Sequence, residues 1–158
     1  MEKIGMSLIL PNEYSNHLYR IFEGIDLAKY YWEVLSDWSL VPLEGGGLNT
    51  KFFETETVPF VVTGDRLYEV FCNKMYYPIG FDIRAYYDRN DILEMSTFQE
   101  YFNSNCLLAL FCCDAQWYDI YCKDEQILEK IYGNCLRIEG TQVEFVTVKT
   151  NERTRLGI

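Results

Sequence analysis

The chain has 158 residues, with 24 Asp plus Glu against 14 Lys plus Arg, a net charge of −10 and 49% hydrophobic residues. That length suits one domain that buries its own core without metal or disulfide staples, and the composition excludes disordered, collagenous and coiled-coil chains. A surface of this sign repels nucleic acid and anionic lipid, so neither is an expected partner, and no stretch approaches the apolar length of a membrane span.

Residues 3–10 read as a strand closed by Pro11, which cannot donate to a sheet ladder. From Asn12, the apolar residues Tyr14, Leu18, Ile21 and Phe22 fall on one face of a helix that stops at Gly24. Residues 28–38, rich in Tyr, Trp and Val, argue for a strand, a short helix being the other reading. Residues 43–57 hold Gly45-Gly46-Gly47 and the acids Glu44, Glu54 and Glu56 with no period, the pattern of a long surface loop. The run Val58–Val62 leads to Gly64 and Asp65, which open a helix carrying Leu67, Val70 and Phe71 on one side and ending before Pro78.

In the second half, residues 77–87 predict a strand with Ile79, Phe81, Ile83 and Ala85 on a buried face and Gly80, Asp82 and Arg84 on the other. Ser96 followed by Gln99 has capping-box spacing and starts a short helix through Phe98, Tyr101 and Phe102. Residues 106–113 are apolar on both faces, as in a central strand covered from both sides. Asp114-Ala115-Gln116 turns into a strand over 117–122, Asp124 caps a helix with Ile127, Leu128, Ile131 and Cys135 on one face, and 142–149 supply a last strand. The fold class is α+β: one domain, a mostly antiparallel mixed sheet with helices packed on it. From residue 77 the element order is compatible with a split βαβ of ferredoxin-like type.

No constellation of reactive groups stands out. The six cysteines lack zinc-knuckle or redox-pair spacing and read as reduced core thiols, and Cys112 and Cys113, adjacent on a strand, must face opposite ways. With no signal-peptide pattern at the N-terminus, the expected compartment is the cytoplasm. His17, the one histidine, lies at the edge of a helix face and reads as structural or superficial. The triple glycine lacks the phosphate-loop ending and no cofactor motif is present; Asp88, Asn90, Asp91 and Glu94 read as caps rather than a calcium loop. Lys149, Arg153 and Arg155 read as solvated tail charges.

Tyrosine is the outlier, 13 residues beside 10 Phe and 3 Trp. Rings with polar tips on an acidic protein suit a surface that grips another protein, although such clusters also fill strand faces. The residues singled out for partner contact are Tyr30, Trp32, Trp117, Asp119 and Tyr121. The expected function is non-enzymatic docking on a basic protein partner, in the manner of an immunity protein, antitoxin or inhibitor. The alternative is a small enzyme or ligand-binding domain with a carboxylate-lined pocket between the sheet and the 43–57 loop.

The segments Ser7–Tyr14 with Leu18-Tyr19, Ser96 through Glu100-Tyr101-Phe102 to Cys106, Ile120–Asp124 and Asn151–Arg155 resemble the uncharacterised bacterial family catalogued as domain of unknown function 2691. The resemblance spans nearly the whole chain. It implies a small single-domain protein of Bacillus-like bacteria and brings no catalytic residues with it.

Overall fold

The computed structural model describes residues 2–43, 45–47 and 49–157, so Glu44 of the glycine loop lies outside the described residues. In chain order the described elements are β1 (Lys3–Ile9), α1 (His17–Ile21), β2 (Tyr31–Leu40), β3 (Phe60–Thr63), α2 (Gly64–Phe71), β4 (Tyr77–Tyr86), α3 (Phe98–Asn103), β5 (Cys106–Cys113), β6 (Trp117–Cys122), α4 (Glu125–Leu136) and β7 (Gln142–Thr147). The strands form one sheet in the order β3-β2-β4-β5-β6-β1-β7, and every neighbouring pair is antiparallel. The α+β class stands.

A split βαβ is present, but not the ferredoxin-like pair. β6 and β7 run parallel with β1 between them, joined through α4, whereas β4 and β5 are direct antiparallel neighbours despite the helix that separates them in sequence. The inserted strand comes from the N-terminus, a pairing that no local pattern encodes. The β5–β6 turn matches expectation: Asp114 and Ala115 take φ of 53° and 56°, which twists a tight hairpin in the sense the strands need.

The sheet is covered on both faces. On the helical face, α1, α2 and α4 bury Leu18, Ile21, Leu67, Phe71, Leu128 and Ile131 against Trp32, Val34, Phe81, Ile83 and Leu110. Gly64 lets α2 seat there, because a Cβ on it would lie 1.7 Å from the Leu27 carbonyl oxygen. On the opposite face, the strap face, Tyr101 of α3, Met95 and the tail residue Leu156 cover Ala109, Phe111 and Tyr121.

Three local expectations shift. The first helix covers only His17–Ile21, because Ser15 exchanges backbone hydrogen bonds with Tyr76 (3.1 and 2.8 Å) instead of starting a turn. The capping box sits one residue on, at Thr97 and Glu100. The Glu100 carboxylate accepts from the Ser96 and Thr97 amides at 2.6 and 3.0 Å, and an ionised acceptor outcompetes the neutral Gln99 amide. The 43–57 loop is not purely superficial: Phe52 and Phe53 are buried, their amides donating to Ser39 Oγ and Asp37 Oδ2 at 2.9 Å each.

Candidate functional site

On the strap face, β-register places side chains from five strands in three cross-strand rows. The lowest is Trp38, Gly80, Cys113, Trp117 and Ile9; the next is Ser36, Asp82, Phe111, Asp119 and Ser7; the third is Glu33, Arg84, Ala109, Tyr121 and Gly5. Alternation within each strand alone would put polar groups here, and it puts Asp82, Arg84, Glu33 and Asp119 on one surface. Asp82, Arg84 and Glu33 are nonetheless buried. This corrects the expectation of an open polar face on β4: the chain's own residues 94–97 and 155–157 lie over it.

The covering tail is a strap clamped by Arg153. Its guanidinium pairs with Asp119, donates to the carbonyls of Arg155 and Gly157 and lies 4.6 Å over the Phe111 ring. Asp119 in turn accepts from Ser7 Oγ at 2.8 Å. Backbone bonds from Phe98 to Thr154 and from Leu156 to Ser96, 3.0 Å each, tie the strap to α3. Arg153 is therefore a structural clamp rather than a solvated tail charge, while Lys149 and Arg155 are exposed.

Beneath the strap the ion pairing is loose. Arg84 Nη2 reaches Asp82 Oδ2 at 3.5 Å and Nη1 the Met95 carbonyl at 3.4 Å. Glu33 Oε1, Asp82 Oδ1, Arg84 Nε and Tyr86 OH have no hydrogen-bond partner, four of the seven such buried atoms among the described residues. Burial pushes the Asp82 carboxyl up to about 6 against the pull of Arg84 and Arg153, and burial likewise raises Glu33. An open groove of about 730 Å³ runs beside them, lined by Ser36, Asp82, Arg84, Glu94, Arg155 and the apolar Leu35, Met95 and Leu156.

The residues singled out for partner contact divide by burial. Trp32 is 1% exposed, its indole N–H satisfied by the Leu27 carbonyl at 3.1 Å, and Tyr30 and Tyr121 are buried as well. These three are core, because the helical face and α3 close over them. Trp117 is 49% exposed and Asp119 half-buried. Trp38, which sequence reading passed over, is 61% exposed and shares the lowest row with Trp117. Its position two residues beyond Ser36, past the bulge at Leu35, sets that face, and strand alternation counted from Trp32 gives no warning of the bulge.

The other candidates fall into place as structure. Cys106, Cys112, Cys122 and Cys135 are buried thiols pushed up to about 12 by burial, but Cys72 and Cys113 are exposed rather than core. His17 is buried, its pKa lowered by desolvation, with Glu13 3.6 Å from Nε2. Asp88 caps a short turn through the Asn90 amide. A cavity of about 360 Å³ beside the 43–57 loop is lined by Asp37, Lys51 and Glu56, and His17 does not line it. Among the described residues no three His, Cys, Asp or Glu side chains converge as a metal cage, and no helix is long and apolar enough to cross a membrane.

The sequence matches the family described as "Protein of unknown function (DUF2691)" over residues 3–157. The chain belongs to that family. It is 30% identical over 154 residues to the uncharacterized protein YncE of Bacillus subtilis (strain 168), an alignment that covers 98% of each chain. No solved structure matches it significantly.

Proposed function

We propose that this family member is a non-catalytic binding protein that docks a basic protein partner, as immunity proteins, antitoxins and inhibitors do. One observation carries the reading: the lowest row of the strap face leaves two tryptophans, Trp38 and Trp117, exposed on the same face of the sheet. Burying an indole at an interface releases more apolar surface than any other side chain, and exposed Trp is uncommon on a protein with nothing to bind. Asp114, in the turn that follows Cys113, and Glu56, beside Trp38 in the neighbouring cavity, border the row with exposed carboxylates. A net charge of −10 steers a cationic surface toward it. Six unpaired cysteines support placing the protein in the reducing cytoplasm.

The test is capture from the native host on the immobilised full chain and on a Trp38→Ala/Trp117→Ala chain, both checked by circular dichroism. A basic protein retained by the first, released as salt rises and lost from the second is the expected result. Equal retention on the two chains, or retention indifferent to salt, overturns the reading.

A further inference from the structure

The outer part of the strap, residues 154–157, covers polar groups that are poorly served once covered. It forms no helix or strand. Two backbone bonds hold it to residues 96–98, Phe98 N–H to the Thr154 carbonyl and Leu156 N–H to the Ser96 carbonyl, and the Arg153 guanidinium donates to the Arg155 and Gly157 carbonyls. Gly157 lies so close to Asp82 that a Cβ on it would come within 3.3 Å of Oδ2. Beneath, Asp82 Oδ1, Glu33 Oε1 and Arg84 Nε are buried without a partner. Among the described residues the one hydrogen bond to the Asp82 carboxylate comes from Arg84 Nη2, at 3.5 Å.

Charge is not what this cluster lacks. Asp82 and Glu33 meet Arg84 in the sheet, and Arg153 acts on Asp82 from the strap while paired with Asp119. Glu94 and Arg155 line the groove with one charge of each sign, and Ser36 and Phe111 are the uncharged neighbours across the row. What is missing is hydration: an ionised carboxylate with one long contact has lost most of its donors, whereas the neutral acid loses far less on burial. Water reaches Oδ1 only when the cover moves.

We propose that residues 154–157 are a pH-governed lid that stays down while Asp82 is protonated and lifts as its carboxyl ionises. Burial raises that carboxyl from 3.8 to about 6, so the closed form binds the proton more tightly than the open one, and closure weakens as pH rises through about 6. Lifting bares Asp82 in the row next to Trp38 and Trp117; the lid itself stands on this cluster and not on the docking reading.

Native-state hydrogen exchange on the full chain at stepped pH, corrected for the intrinsic rate of each amide, reads the lid directly. The Leu156 and Phe98 amides should be less protected than those of β5 at every pH, and their protection should fall about tenfold between pH 5 and 7. In Asp82→Asn that fall should vanish. If this variant does not fold, the Asp82 carboxyl-carbon resonance, titrated in the wild-type chain and in Arg153→Ala, decides. Loss of a nearby cation would by charge alone move the Asp82 midpoint up; a loosened lid should move it down, toward the ordinary carboxyl value. A midpoint that rises, Leu156 protection that is independent of pH, or protection equal to that of β5 overturns the inference.

Discussion

Asp82 shows how one position reports on the whole strap face. In the unfolded chain its carboxyl ionises at the ordinary 3.8 and in the folded chain at about 6, so between those values the folded state holds more proton. Stability therefore falls as pH rises through this window, by about 3 kcal/mol in total, and the loss is complete above pH 6. Glu33, raised by burial, adds to the same slope. Urea unfolding at stepped pH should show stability declining from pH 4 to 6, and Asp82→Asn should flatten most of that decline; an unchanged slope would assign it to other groups. The alternation of β4 made Asp82 and Arg84 visible in the sequence as a polar face. Their burial was not visible, because the residues that cover them come from positions 94–97 and 155–157, far along the chain.

At the scale of elements, the strap from Asn151 to Gly157 forms no helix or strand of its own and is held by side chains on the sheet and by backbone bonds to residues 96–98. Arg153 ties it to the sheet through Asp119 and the Phe111 ring, and Asn151 Oδ1 accepts from the Tyr121 hydroxyl of β6 at 3.0 Å. Replacing Arg153 with Ala leaves the Asp119 carboxylate short of its cation and should cost about 2 kcal/mol, a figure kept modest because both side chains reach solvent. Hydrogen exchange locates the effect: the Leu156 and Phe98 amides, which bond across to Ser96 and Thr154, should exchange faster while the amides of β5 keep their protection. Exchange that rises uniformly would mean the fold, not the strap, depends on Arg153. Tail composition gave no hint of this clamp, since a basic residue near a chain end is ordinarily solvated. By contrast, the β5–β6 hairpin and α4 lie where local signals put them, because turn chemistry, an Asp cap and helical spacing act within a few residues.

For the molecule as a whole, the division of aromatics between core and surface decides what it can do. Trp32→Ala should cost about 3–5 kcal/mol of stability by denaturant unfolding, since it empties a buried indole-sized space. Trp38→Ala and Trp117→Ala should each change it by about 0.5 kcal/mol or less; a large loss from either would make it a packing residue and remove it from the docking row. The sequence by itself determined an acidic chain, its α+β class, most of its elements and its family, because composition and short-range periodicity are properties of neighbouring residues. Only the tertiary structure decided that β1 enters between β6 and β7, that a bulge in β2 brings Trp38 into line with Trp117, and that residues 155–157 lie over the buried Asp82 and Arg84. Each of these joins residues distant in sequence, and such contacts are chosen by the burial and pairing of the entire chain rather than by any local pattern.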